Sequence, residues 1–189
     1  GRCAELPQQA AGARPPLSAR EARRVVELLC GLLFDPELED IRLYDLSDAE
    51  ESDVERSGGD ATYGEMSFEM VDWFLERAGT YPDDTICDLG SGGGRVLLYA
   101  ALRTGCRAVG VELSPTRHQS AMTLVGLAEP FLRPGQVVLH HGDIADDGGP
   151  QRNGTVVLFP NRLFEDEFSE RALRTLDRPR RLLALRPLG

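Results

Sequence analysis

Not one lysine occurs in the 189 residues; all 21 basic residues are arginine. With abundant Ala, Gly and Pro, this reads as a base-composition bias of the source genome. Cysteine is scarce. Cys3, Cys30, Cys87 and Cys106 stand far apart without metal-ligand spacing, and read as small apolar fillers. The three histidines, His118, His140 and His141, show no ligand spacing either, so no metal site is expected. No apolar run approaches the roughly 18 residues that a membrane span needs, and no signal-peptide pattern opens the chain. The expectation is an intracellular protein, cytoplasmic by default. The length suits one domain with a sizeable core.

The acidity is local. Residues 35–60 hold eleven acids against Arg42 and Arg56, a net of −9 out of the chain's −10. Three readings stand: a solvated loop, an acidic lip that attracts a basic partner, or a flexible cover of a neighbouring ligand site. At the other end, Arg174, Arg178, Arg180, Arg181 and Arg186 form a basic run. It reads as a solvated rim or as a nucleic-acid contact through phosphates.

The strongest motif is Asp88-Leu89-Gly90-Ser91-Gly92-Gly93-Gly94-Arg95, between the apolar run Thr85-Ile86-Cys87 and the apolar-periodic run 96–102. That is strand, glycine turn and helix, the setting of a nucleotide-binding turn. Glycines let the main chain turn tightly and let a ligand approach closely. Twenty-four residues after Asp88, the run Ala108-Val109-Gly110-Val111 ends in Glu112, suited to accept hydrogen bonds from two ribose hydroxyls. The glycine spacing is G-x-G-x-G, not the G-x-G-x-x-G of dinucleotide folds. Asp88 would crowd a pyrophosphate but suits a cationic ammonium. S-adenosylmethionine (SAM) fits best, with Asp88 facing its methionine end. A glycine loop without ligand, or a nicotinamide or flavin site, are the alternatives. The lack of lysine excludes automethylation on lysine.

Around this motif, Pro15-Pro16 closes a loose start. Ser18 and Glu21 form a capping-box pattern before a helix reaching Phe34, striped by Val25, Leu28, Leu29, Leu32 and Leu33. The acidic segment follows as a loop ending at Gly58-Gly59. A helix over 65–78 carries Met66, Phe68, Met70, Val71, Phe74 and Leu75, with Trp73 expected in the core. From residue 84 the pattern alternates: strands 85–89, 107–112, 136–141, 155–159 and 181–185, helices 94–104, 115–128 and 164–176. The fold class is α/β with a doubly wound, mainly parallel sheet. Residues 1–60 read as an N-terminal helix and acidic loop, 61–189 as the ligand-binding domain. Asp88, Glu112, Asp143 and Asn161 all fall at strand ends, where such sheets bind ligands.

These residues resemble the Rossmann-like class I SAM-dependent methyltransferases. Within them the chain resembles the non-SET histone H3 lysine methyltransferases, the disruptor-of-telomeric-silencing family. The likeness rests on Thr62-Tyr63-Gly64-Glu65, Asp88 through Gly92, Gly110-Val111-Glu112 with Ser114-Pro115-Thr116-Arg117, and residues 156–161 with Arg186-Pro187-Leu188. It implies a loop of Tyr63, Gly64, Glu65 and Met66 closing over SAM. Asp88, Gly90 and Gly92 would hold its methionine part, Glu112 the ribose, and Asp143 and Ile144 the adenine, with Ser91 and Gly94 also counted as cofactor-binding. Asn161 and Tyr63 are the implied catalytic residues, Asn161 beside the methyl donor; a cap on the following element is its plainer reading. The implied substrate is a basic protein such as a histone, and the implied compartment the nucleus. A SAM-binding module that is non-catalytic or partner-dependent, and a methyltransferase acting on RNA or a small molecule, stay open. Departures are clear. The family has asparagine where Pro160 stands, commonly an aromatic for Ile144 and threonine for Met66. Its fold also runs beyond Arg186-Pro187-Leu188, so a sheet without the C-terminal strands is expected.

Overall fold

A computed structural model describes residues 15–33, 46–62, 64–177 and 179–187. Its centre is a five-stranded, wholly parallel sheet. The strands are β1 (Thr85–Leu89), β2 (Arg107–Glu112), β3 (Val137–His141), β4 (Val156–Phe159) and β5 (Arg181–Ala184), in spatial order β3-β2-β1-β4-β5. The inner strands are almost continuously apolar, because helices cover both faces of the sheet: Ile86, Cys87 and Leu89 of β1 and all four residues of β4 are buried.

The helices are α1 (Ala19–Leu33), α2 (Asp48–Ser57), α3 (Phe68–Ala78), α4 (Arg95–Thr104), α5 (Pro115–Ala128) and α6 (Asp166–Arg174). Helix α4 is buried from Val96 to Leu102, as befits the crossover between the two central strands. Gly94 caps it with positive φ, and a Cβ there would lie 2.9 Å from the Ala121 Cβ of α5. Only glycine permits that approach. The Ser18–Glu21 capping box forms at the head of α1.

Three readings of helices need correction. The packed stripe of α1 is Ala22, Val26, Leu29 and Leu33, while Leu28 and Leu32 are 64% and 52% exposed. The interleaved stripes cannot both face inward, and the one containing small Ala22 lies against the domain. Helix α3 begins at Phe68, because the Ser67 hydroxyl caps Met70 N. Trp73 is half exposed, with the Arg77 guanidinium 4.6 Å from its ring centre, and is not core. The acidic segment is not simply a loop: residues 48–57 form α2, headed by a full capping box from Ser47 and Glu50 and closed at Gly58. The rest of that segment, 34–45, and Cys3 lie outside the described residues. Two short 3-10 turns, Pro150–Asn153 and Asn161–Leu163, also escaped the sequence reading, being too short to carry a period.

Candidate active site

The crossovers from β1 and β4 leave in opposite directions, β1 toward β2 and β4 toward β5. Their following loops therefore diverge at the carboxyl ends and open a crevice between them. A cavity of about 440 Å³ occupies it. On one side is the turn after β1, where Gly90, Gly92 and Gly94 all have φ between +52° and +82°. On the other stand Pro160, Leu163 and Phe164 after β4. Val54 and Ser57 of α2, with Asp60 and Thr62 beyond it, close the mouth.

Two buried acids set the electrostatics. Asp88 lines the cavity, is 3% exposed, and accepts no hydrogen bond among the described residues. Burial pushes its carboxyl well up from the usual value, and the charges of Glu112 and Glu65 push it further. Glu112 is also raised by burial, but less freely, because it is held. Its Oε2 accepts from Gly92 N at 2.8 Å and its Oε1 from Ser114 N at 2.9 Å. Those two bonds aim the carboxylate while leaving lone pairs toward the cavity. The Ser91 hydroxyl is buried beside them with no partner among the described residues. A solitary buried acid flanked by acids, and an orphan hydroxyl next to it, fit an occupant that brings a cation and its own donors. SAM, with an α-ammonium and ribose hydroxyls, is such an occupant, and the residues present accommodate it.

The other expected residues divide. Gly64, Glu65 and Met66 line the cavity; Glu65 is tied to Arg95 at 2.7 Å and Met66 is buried. Gly90, Ser91 and Gly92 line it as well, and so do Asp143 and Ile144. Asp143 Oδ1 accepts from Ala145 N at 2.8 Å, and Ile144 is a buried apolar wall. Gly94 does not line the cavity; its role is the α4–α5 approach described above. Asn161 does not line it either. It is buried, its Oδ1 accepts from Arg186 N at 3.0 Å, and its Nδ2 donates to Arg186 O at 3.4 Å. The amide thus pairs with the chain after β5, neither open to the cavity nor capping a helix. Tyr63 lies outside the described residues.

Sequence reasoning allowed the acidic segment as a flexible cover of the site but missed that it is a helix, and missed Arg117, Phe164 and Leu185. For α2 a signal was present, since Ser47-Asp48-Ala49-Glu50 is a capping-box pattern and Gly58 a stop. Arg117, 6% exposed, donates to the carbonyl of Ala61, and its charge favours the ionised form of Glu112. No local pattern could have shown that.

The C-terminal arginines are dispersed by pairing. Arg174 meets Glu170, Arg180 meets Asp84, and Arg186 meets Asp166 and the Phe164 carbonyl. Arg178 lies outside the described residues. His118 and His141 stand with ring centres 5.4 Å apart, and His141 Nε2 is 2.9 Å from the Leu113 carbonyl. Among the described residues no group of His, Cys, Asp or Glu could hold a metal. None of their helices is long and apolar enough to cross a membrane.

Comparisons with known proteins agree with this geometry. The family model described as "Histone methylation protein DOT1" matches residues 47–178. A curated protein of Emericella nidulans, "Histone-lysine N-methyltransferase, H3 lysine-79 specific", is 25% identical over 165 residues, covering 81% of this chain and 30% of that protein. One of the same name from Cryptococcus neoformans is 32% identical over 117 residues, 57% of this chain and 18% of the other. The chain thus spans less than a third of the length of either relative. Among solved structures, YjhP of E. coli superposes with a TM-score of 0.51 at 21% identity, covering 63% of this chain and 49% of that one. That likeness concerns the fold.

Proposed function

The chain belongs to the DOT1 histone-methylation family, and from that premise we propose that it binds SAM in the crevice and methylates a lysine of a basic protein, histone H3 first. The observation that carries the reading is Asp88: a buried acid whose carboxylate has no hydrogen-bond partner among the described residues, at the mouth of a glycine turn, beside a ribose-ready Glu112. Asp88 would hold the α-ammonium, Glu112 the ribose hydroxyls, Asp143 and Ile144 the adenine. Bound there, SAM supplies an electrophilic methyl group on its sulfonium.

The protein's own contribution is position and dryness. Val54, Leu163, Phe164, Phe168 and Leu185 give the cavity an apolar part of its lining. An ammonium entering that part is disfavoured against the free amine, which is the form that accepts a methyl group. Asn161 holds Arg186 and so steadies Leu185 in that wall. The exposed acids of α2, among them Asp48, Glu51 and Glu55, face any approaching partner and favour a basic one. The pairing of Arg174, Arg180 and Arg186 favours a protein acceptor over nucleic acid. A histone substrate would place the protein in the nucleus.

One observation supports a second reading. Pro160 lines the cavity where the resemblance leads one to expect asparagine, and proline offers no side-chain polar group. On that reading the domain binds SAM and needs a partner for turnover. Labelled SAM with nucleosomes, free histones, RNA and small amines separates the two. Labelled histone is expected. Labelled RNA or amine with histones untouched overturns the substrate, and tight SAM binding without any labelling selects the second reading.

A further inference from the structure

Helix α2 spans the crevice like a bar. Ten residues of helix measure roughly 15 Å, and the two ends rest on different helices. At its C-terminal end, Ser57 O accepts from Arg171 of α6 at 2.8 Å and Gly58 O accepts from Glu165 N at 3.2 Å. Gly58 has φ +98°, and a Cβ there would meet the Phe168 Cβ at 2.8 Å, so this end is pinned tightly against α6. At its N-terminal end, among the described residues, one side chain makes the hydrogen bonds to α5. Glu50 Oε1 accepts from Ser114 Oγ at 3.1 Å and from Thr116 N at 3.0 Å, and Oε2 accepts from Thr116 Oγ1 at 3.0 Å. The same carboxylate accepts from Ser47 N and Ser47 Oγ in the capping box of α2 itself. Between the two ends α2 buries a single side chain, Val54, which forms part of the cavity wall. A helix that buries one valine has little apolar driving force to hold it down.

We propose that Glu50 is a positioning residue, a latch that holds α2 across the cofactor cavity. Cofactor exchange then requires the Glu50 end to leave α5 while the Gly58 end acts as the pivot. Three features support the direction of opening. The Glu50 end rests on the first turn of α5, whose free N–H groups and dipole attract the carboxylate. The α6 end has backbone bonds and aromatic packing in addition. And Ser114 joins the latch to the site: its hydroxyl donates to Glu50 while its N–H donates to Glu112. Undocking α2 therefore frees both the cover over the cavity and one support of the ribose acid. Burial alone would raise the Glu50 carboxyl, but the bonds from Thr116 and Ser47 outweigh it and hold it at about 2. The latch is thus charged and closed throughout the neutral range.

The inference rests on SAM or its demethylated product, S-adenosylhomocysteine (SAH), occupying the cavity, so its test has an arm without ligand. In the unliganded protein, Glu50→Ala should abolish hydrogen-exchange protection in residues 48–57 while β1, α4 and β2 keep theirs. In stopped flow, the same variant should release SAH at least tenfold faster while the association rate changes less than threefold. Glu50→Gln, which keeps one acceptor oxygen, should fall between. Thr116→Ala should speed release too, and the double variant Glu50→Ala/Thr116→Ala should release no faster than Glu50→Ala alone, because both changes break one contact. Unchanged protection of 48–57, an unchanged release rate, additive effects in the double variant, or a loss of protection that extends to β1 and α4 each overturn the latch. Failure of wild-type protein to bind SAH instead overturns the cofactor reading, and leaves the exchange arm to judge the latch by itself.

Discussion

Two aspartates four residues apart, one just before strand β1 and one within it, show the molecule's two ends most clearly. Asp84 precedes β1 at the amino edge of the sheet and Asp88 lies within it near the carboxyl edge; they are 6% and 3% exposed. Equal burial has opposite results. Asp84 accepts from Tyr81 N at 2.7 Å, from the Thr155 hydroxyl at 2.7 Å and from Arg180. Burial by itself would raise its carboxyl, yet these partners outweigh burial and hold it below the usual value. Among the described residues Asp88 has no such partners, and its charged neighbours are acids, so it lies well above. The lesson is that burial does not define an acid's role. Asp84 is completed by the chain, joining β1, β4 and the approach to β5. The carboxylate of Asp88 is left open to the cavity among the described residues.

If that contrast is right, the two residues fail differently. The largest effect is expected at Asp84. Replacing it by alanine leaves Arg180 without its partner, and removing one member of a buried pair costs about 3–5 kcal/mol. The Arg180 side chain is 31% exposed, so the lower end, about 3 kcal/mol, is expected. That corresponds to a fall in Tm of about 6–12 °C. Affinity for SAH per folded molecule should be unchanged. A variant melting like wild type would mean that Asp84 is no more structural than Asp88.

Asp88→Asn should do the reverse. It removes the charge facing the proposed α-ammonium, and breaking a desolvated charge pair costs at least about 2 kcal/mol, roughly thirtyfold in Kd. The unliganded protein should melt no lower than wild type, since no hydrogen bond is lost among the described residues. Calorimetry with SAH measures the first, thermal melting the second. An unliganded variant without a cooperative melt would make Asp88 structural after all.

A smaller loss is expected at Glu112. Glu112→Gln keeps one acceptor for Gly92 N or Ser114 N but removes the charge that strengthens bonds to ribose hydroxyls. About 1.5 kcal/mol, or roughly tenfold in SAH affinity, should follow. Unchanged affinity would move the ribose elsewhere in the cavity and leave the glycine turn as the whole of the site.

How legible all this was depends on the range of the interactions. Strands β1 to β5 and helices α4 to α6 were read within two residues at each end, because long apolar periods and glycine punctuation are local signals. The acids at strand ends were legible for the same reason, since the place of Asp88 and Glu112 follows from strand and turn alone. Which acid is partnered was not. Asp84 meets Arg180 across 96 residues and Thr155 across 71. The bar over the cavity was legible only as a loop that could cover the site, not as a helix. Helix α2 has a mean hydropathy too low to suggest burial, and it is defined by caps and by Glu50's contacts 64 and 66 residues away. Asn161 was read for the site because it ends a strand, yet its amide is taken by Arg186, 25 residues on. Side-chain partners that are distant in sequence leave no mark on the local pattern.

The subtlest consequence of the contrast lies in its dependence on pH. A carboxyl whose folded value exceeds its unfolded value makes the folded state bind its proton more tightly. For Asp88 that contribution is fully present below its ordinary value of 3.8 and is lost as pH rises through the raised folded value. Asparagine has no such titration, whereas Glu112 titrates in both proteins. The difference in Tm between unliganded Asp88→Asn and wild type should therefore start near zero at about pH 4 and grow in favour of the variant toward pH 8. Each unit by which Asp88 is raised adds about 1.4 kcal/mol, or about 3–6 °C in a chain of this size. For Asp84 the sign is opposite: its lowered carboxyl stabilises the fold above its ordinary value, and that stabilisation fades as pH falls. Saturating SAH should close the gap at Asp88 and then reverse it, because the ammonium favours the ionised carboxylate that only wild type has. A gap that is constant across pH would mean that Asp88 is ionised at no cost in the empty cavity, and the case for a reserved cation site would fall with it.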